Sequence, residues 1–429
     1  MKKKYRIILY TSIFLLCVVG SIILVVKKSN SVYEEESKPK VVKHKSMLSM
    51  NLEQTAGAGD YKTVTQSSWP TEGYKFNAEL SRCENGSTLS WDDTKKAVIV
   101  SGNLSDKCYV YFDIYQPTLA EYIKSQYTGT QGENNIYYHD SDLANGAGDN
   151  SYRYAGANPN NFVCFGSDTS PCPTDNLYRI IGVFGENYHG VTGKQLVKLI
   201  KYDYMTTDEL GTDGDYSQTY KEWGMDSTYK GTYGDGERIG VYYWNYKATG
   251  SATNTWSTSL LNKTNLNTNF INNIGTTWAN KIATVTWKVG GNTYANISDV
   301  VPATTYQNEI VNPVTTNTTD NATTYSAKIG LMYVSDYGFA ASPDAWTLTM
   351  SSYNNTTAKN NNWMYMGLYE WTVSRRADHS SGAFCVGDDG RVGYNYVNSN
   401  YGVRASFSLE SSVSYVSGSG SMSDPIVIN

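Results

Sequence analysis

Catalysis needs ionisable or nucleophilic side chains at a working spacing, and in this chain of 429 residues they are thinly spread. The four histidines, His44, His139, His189 and His379, stand far apart. None has the His-x-x-x-His or Glu-flanked spacing that sets two imidazoles on one helix face for zinc. No Gly-x-Ser-x-Gly elbow, P-loop or dinucleotide fingerprint occurs. A glycosidase needs two carboxylates facing each other across a sugar; Glu370 and Asp388 are an imaginable pair that nothing in the sequence supports. Cys385 lies in the strand-like run Ala383-Phe384-Cys385-Val386, where alternation buries a small apolar side chain, so it reads as a structural thiol.

What the chain does gather is a set of binding-type residues near its end. From Glu370 onward, short apolar runs alternate (Phe384 and Val386, Phe407 and Leu409), and Gly387-Asp388-Asp389-Gly390 is a hairpin signal, because Asp-Gly supplies positive φ at no steric cost. A small antiparallel sheet is therefore expected, with Arg375, Arg376, His379, Asp388, Asp389, Arg391, Tyr394, Tyr396, Asn398, Asn400 and Tyr401 in its loops or at loop edges. Tyrosine suits stacking on sugar or protein, and Arg and Asp suit orientation. The plain alternative is solvated loop. Trp371 alternates with Val373 and reads as core. Arg404, inside a Gly-Val-Arg strand, is expected to pair with a buried carboxylate.

Trp371-Thr372-Val373-Ser374, Ala383-Phe384-Cys385-Val386, the glycine turn, Gly402-Val403-Arg404 and the closing Gly420-Ser421-Met422-Ser423-Asp424-Pro425-Ile426 resemble the C-terminal domains of membrane-anchored surface proteins of unknown function from Gram-positive bacteria. More distantly, the arrangement is similar to the C-type-lectin-like fold shared by formylglycine-generating-type domains and the variable receptor proteins of diversity-generating retroelements. The nearer resemblance runs from about Tyr74 to the end, and the lectin-type one covers the last third. It implies a ligand-binding sheet with displayed loops. Two departures stand out. Ala405 follows Arg404 where many relatives carry Pro, and the formylglycine-generating enzymes need a cysteine pair where this chain has Cys385 alone.

The elements that must carry such a domain begin with an anchor. Lys2, Lys3, Lys4 and Arg6 precede an apolar run from Ile7 to Val26 that ends at Lys27-Lys28, and about 20 apolar residues suffice to cross a bilayer. A cleaved signal peptide wants a shorter apolar region and small residues at the cut, which Ile22-Ile23-Leu24-Val25-Val26 does not offer. Positive residues flank both ends, so charge alone leaves orientation open. Cysteine usage favours an oxidising exterior: Cys83 and Cys108 sit at the edges of strand-like runs, and Cys164 and Cys172 bracket a polar loop, as two local disulfides would. Four reduced thiols are the alternative. The net charge of −5 and 17% charged residues give no basic surface for nucleic acid. Tyrosine outnumbers phenylalanine 37 to 10, as expected where aromatic surface is half exposed.

Residues 1–28 thus read as cytoplasmic tip and transmembrane helix, and 29–68 as a solvated stalk in which Met47 to Gln54 has the makings of a short helix. Residues 69–116 read as a small β-domain of alternating runs (Tyr74 to Leu80, Thr88 to Trp91, Ala97 to Val100, Tyr109 to Phe112). A Cys83–Cys108 bridge would stabilise it by about 3–4 kcal/mol on loop entropy. Residues 117–163 read as a helix (Thr118 to Tyr127) and polar connector. Its Asp/Asn/Gly loop from His139 to Asn150, like a second from Thr207 to Tyr216 with Asp208, Asp213 and Asp215, invites calcium by composition but not by spacing.

Residues 164–429 read as an α+β domain, opened by the hairpin of Leu177 to Phe184 and Gln195 to Ile200. A helical face follows on Leu260, Leu261, Leu266, Phe270 and Ile274, then a strand from Ala283 to Val289, and irregular βα order throughout. The expectation is a single-pass surface protein, the bulk of it extracellular, whose C-terminal lectin-like domain binds a glycan or protein without catalysis and without a cofactor, calcium being the alternative that the two loops leave open. A cell-wall or glycan hydrolase and a structural spacer or assembly subunit are the alternatives.

Overall fold

The structure is a computed structural model. It describes residues 48–429 apart from 66, 67, 72, 104, 186–188, 190–192, 221–227, 235, 237, 250, 251 and 315–321. The expected anchor from Ile7 to Val26 lies outside the described residues; among those described, no helix is long and apolar enough to cross a membrane. The chain is α+β with strands predominating, and divides after Gln116 into two compact units.

The first unit holds β1 (Leu48–Glu53), β2 (Tyr61–Val64), β3 (Tyr74–Cys83), β4 (Thr88–Asp92), β5 (Ala97–Ser101) and β6 (Cys108–Ile114). Four of them form a sheet in the order β2-β1-β6-β3, and β4 and β5 form a separate hairpin. Strand β1 runs parallel to β6 and antiparallel to β2. Leu48–Glu53, within the stretch expected to be helical, is therefore strand, and the domain begins well inside the expected stalk. Its alternating Leu48, Met50 and Leu52 match a half-buried strand, and pairing on both edges fixes it there. Met50, Leu52, Val110 and Phe112 make the core, with Trp69, Phe76 and Trp91 packed on it. The Cys83–Cys108 disulfide joins residues directly opposite each other on β3 and β6.

The second unit begins at Pro117, so residues 117–163 are part of it and not a connector. Helix α1 (Leu119–Ser125) is closed by a Thr118–Glu121 capping box and buries Leu119 and Ile123. Strands β7 (Ile136–His139), β8 (Ser151–Tyr154) and β9 (Phe162–Cys164) pair onto β10 (Leu177–Phe184) directly or through one another. The hairpin of β10 with β11 (Leu196–Lys201) forms as the sequence predicts and is buried throughout, so it reads as an apolar run on both faces. A bulge falls at Ile181, and the next residue must be Gly182: a Cβ there would sit 2.2 Å from the Tyr152 carbonyl oxygen of β8. The Cys164–Cys172 disulfide closes the loop between β9 and β10.

Further along come β12 (Tyr216–Thr219) and β13 (Gly240–Tyr243), then the expected helical stretch. It forms as a π-helical segment, Leu261–Phe270, running into α2 (Ile271–Ala279). Leu261, Leu266 and Phe270 are buried while Leu260 is exposed. Its asparagines are structural: Asn265, fully buried, donates to the carbonyls of Leu210 and Asp213 and accepts from the Asp215 amide. Strands β14 (Val285–Lys288), β15 (Thr324–Ala327) and β16 (Ile329–Gly330) lead to α3 (Val334–Ala340).

The C-terminal cassette supplies β17 (Glu370–Arg375), β18 (Gly382–Val386), β19 (Val392–Tyr396), β20 (Asn400–Tyr401) and β21 (Ser406–Ser408). Strand β21 inserts between β16 and β11 in the large sheet, and β20 pairs with β13. Strands β17, β18 and β19 form their own three-stranded antiparallel sheet. One face of that sheet (Trp371, Val373, Ala383, Cys385) enters the main core, and the other (Phe384, Val386, Val392) a second core with Tyr337, Tyr353 and Met364. Burial on both faces makes its inner half rigid, and only the outer end of β19 emerges to solvent.

Candidate functional site

Strand β19 alternates across the sheet, so Val392, Tyr394 and Tyr396 share one face. Val392 is buried, Tyr394 is 40% exposed and Tyr396 54%. Opposite Tyr396 on β18 stands Gly382, where a Cβ would press to 3.3–3.4 Å on the side chains of Arg376 and Tyr394. The space it leaves is used by Arg376, whose guanidinium lies 3.9 Å from the centroid of the Tyr394 ring. Asp378 holds Arg376 by two charge-assisted bonds at 2.9 and 2.8 Å, and this carboxylate raises the guanidinium pKa further. His379 lies 5.5 Å from the Tyr396 ring and 6.2 Å from that of Tyr394. Tyr294, half-buried on a short helix far upstream, packs edge-on against Tyr394 at 5.6 Å.

The turn carrying Arg376 and His379 is pinned from beneath. Asn254, fully buried, donates through its amide to the carbonyls of Arg376 (2.7 Å), His379 (2.8 Å) and Gly382 (2.7 Å). Arg376, His379, Tyr394 and Tyr396 are thus brought together on one rigid face. Tyr294, Asp378 and Asn254 complete it; only Asp378 had a sequence signal, as the acid two residues after Arg376.

Other expected contacts lie elsewhere. Arg375 is not in a loop: it is 1% exposed on β17, its Nε donating to the carbonyls of Val289 and Gly290, and burial pushes its pKa down to about 10. Tyr401 is buried between Tyr369 and Trp371, at 4.9 and 4.6 Å between ring centroids, and accepts a bond from the Asn395 amide. Asn400 is half-buried and donates to Ser217 Oγ. Asn398 is exposed. Asp389 and Arg391 pair with each other at 2.6 Å on the turn after β18. Asp388 is half-buried there, its carbonyl accepting from the Tyr365 hydroxyl.

The catalytic candidates are engaged structurally. Glu370 is buried and paired in two bonds with Arg404, at 2.8 and 2.9 Å. Cys385 is a buried free thiol whose pKa burial pushes up to about 12, so it stays protonated at neutral pH. Among the described residues no three acidic, His or Cys side chains gather where a metal ion would sit. In the loops read for calcium, Asp140 accepts from the amides of its own turn, Asp149 pairs with Arg153, Asp213 accepts from the Asn269 amide, and Asp215 accepts from the Leu261 and Tyr246 amides.

A second feature was not anticipated. A cavity of about 510 Å³ opens between the 157–160 loop, β10 and the 360–366 segment. On its wall Arg179 of β10 is only 6% exposed, lying over the rings of Phe162 and Trp363 at 4.2 and 4.7 Å. Burial lowers its pKa to about 9, which leaves it charged at neutral pH. The signal available was an arginine inside the apolar run Leu177-Tyr178-Arg179-Ile180-Ile181 of a strand buried on both faces. Comparison of the chain with protein-family profiles, with curated proteins and with solved structures returns no match.

Proposed function

We propose that this chain is a non-catalytic recognition protein, held at a membrane by its Ile7 to Val26 segment with the bulk outside the cell, that binds ligand through the Tyr394–Tyr396 face of its C-terminal domain. The observation that carries the reading is this pair of exposed tyrosines on a strand whose inner end, Val392, is buried in the second core, flanked by Arg376 and His379. Aromatic rings already held in place lose little entropy on binding, and their faces suit the C–H face of a sugar or an apolar protein side chain. The lectin-like fold rests on the resemblance of the last third of the sequence, and the exterior placement on the anchor and the two disulfides. A hydrolase finds no comparable support, because Glu370 is held by Arg404 and the Cys385 thiol is protonated.

The test is an array of glycans and cell-wall fragments probed with the purified chain and a Tyr394→Ala/Tyr396→Ala variant. Both rings are exposed, so the variant is expected to fold with unchanged circular dichroism and to lose about tenfold or more in affinity for whatever the parent binds. Binding that is equal in parent and variant, or absent from every component, sinks the glycan form of the proposal.

A further inference from the structure

The cavity beside β10 is unusual in its charge. Arg179 is inside it, with Nε donating to the Asn161 side chain at 2.7 Å and Nη2 to the Pro159 carbonyl at 3.0 Å, yet it pairs with no carboxylate among the described residues. The ionised group that acts on it is a second cation, Arg404, which lowers its pKa further. The nearby acids are committed: Glu370 to Arg404, and Asp203 to the Tyr229 hydroxyl and the Thr232 amide. Across the mouth stands Lys230, its ammonium 4.6 Å from the Tyr365 ring, with burial and the neighbouring Lys359 both lowering its pKa. Lys230 has no ion-pair partner among the described residues. A buried cation without a counter-charge is costly, and an anion entering the cavity would offset that cost.

The rest of the lining narrows what that anion is attached to. Phe162 and Trp363 present ring surface beside the guanidinium, and the amides of Asn158, Asn160 and Asn360 line the space without a side-chain hydrogen bond among the described residues. Flat aromatic surface with several free amides suits a ring bearing hydroxyls, and the volume is that of a small-molecule site. We propose that this cavity is a second binding site, separate from the Tyr394–Tyr396 face, for a small acidic sugar whose anionic group sits against Arg179 and Lys230. Carboxylate and phosphate share the chemistry that these cations recognise.

Isothermal titration of the purified full-length chain with D-glucuronate, glucose 6-phosphate and glucose tests this. At least one acidic sugar is expected to bind about tenfold or more tightly than glucose, as one charge-assisted contact would give, and the better of the two identifies the anionic group. Lys230→Gln, at an exposed position, is expected to weaken that binding about fivefold or more and to keep the fold, whereas Arg179→Gln should abolish it but also releases the 159–161 loop. The Tyr394→Ala/Tyr396→Ala variant should bind acidic sugar like the parent, which separates this site from the C-terminal face. Acidic sugars binding no better than glucose, or an affinity untouched by Lys230→Gln, overturns the inference.

Discussion

Single residues decide whether the C-terminal loops form a surface or a set of unrelated turns, and Asn254 is the one on which most depends. Its side-chain amide serves three carbonyls of the Arg376 to Gly382 turn, while its backbone amide donates to the Ser380 carbonyl. Removing the side chain leaves the Arg376 carbonyl short of a donor in a buried setting, while the His379 and Gly382 carbonyls keep the backbone amides of Gly382 and Arg376. Asn254→Ala should therefore cost about 1–3 kcal/mol in urea unfolding. It should also let the turn move, seen as a shift in the His379 ring resonances, which now lie beside Tyr394 and Tyr396. A destabilised protein with unmoved His379 resonances would mean that the turn is held by β17 and β18 alone. This dependence could not be read from the sequence, because Asn254 stands in a Ser/Thr/Asn stretch far from the turn and looks like any loop asparagine. Arg404 is the converse: an arginine in an apolar run announces a buried partner, and Glu370 is there, although residues 403–405 link β20 to β21 and are not the expected strand. Arg375 gave the opposite sign, since its neighbour Arg376 does face outward.

Elements set by local alternation were legible, and those set by distant pairing were not. The β10–β11 hairpin follows from two dense apolar runs and the β18–β19 hairpin from period-two alternation around its turn residues. Strand β1 was hidden because its partner β6 lies far along the chain, and α1 with β7 and β8 looked like a connector because the strand they build upon comes later. The cavity was hidden for the same reason, its walls coming from stretches scattered between residues 157 and 422. In the first unit the core is small, so the cross-strand disulfide carries much of the stability. Cys83 and Cys108 enclose a separation of 25 residues, for which the loop-entropy estimate is about 3–4 kcal/mol. A Cys83→Ser/Cys108→Ser variant should lose that much, read as faster hydrogen exchange at the β6 amides of Val110 and Phe112. Unchanged protection there would show that the β1–β6 pairing suffices without the bond.

At the scale of the whole molecule, the α+β class followed from strands without βα alternation, but not the amount of charge the second unit buries. His139 is fully buried, its Nδ1 accepting from the Ala147 amide, while its Nε2 and Arg153 Nη1 have no hydrogen-bond partner among the described residues. Burial and then the Arg153 charge drive the His139 pKa well below its ordinary value. His189, beside Asp149 at 3.0 Å, is lowered too, by burial, with Asp149 opposing. In the unfolded chain both imidazoles titrate near 6.5, so between that value and their lower folded values the unfolded state binds more protons and stability rises with pH. Their contribution is complete above about pH 6.5 and is lost as the pH falls below it. Glu309 and Glu370, raised by burial, act with the opposite sign: above about 4.3, where the unfolded carboxyls have lost their protons, the folded ones still hold them, so their contribution falls as the pH rises toward their raised values and offsets part of the histidine slope. The unfolding free energy should therefore be level from pH 8 to 7 and then decline toward pH 5, at up to about 1.4 kcal/mol per pH unit for each histidine. In His139→Asn, where the amide oxygen replaces Nδ1 as acceptor for Ala147, the absolute stability falls but the slope between pH 6.5 and 5 should drop by about half. An unchanged slope would assign the acid sensitivity to His189 and the Asp149–Arg153 pair, and a flat profile in the parent would mean that both histidines are protonated without cost in the folded state.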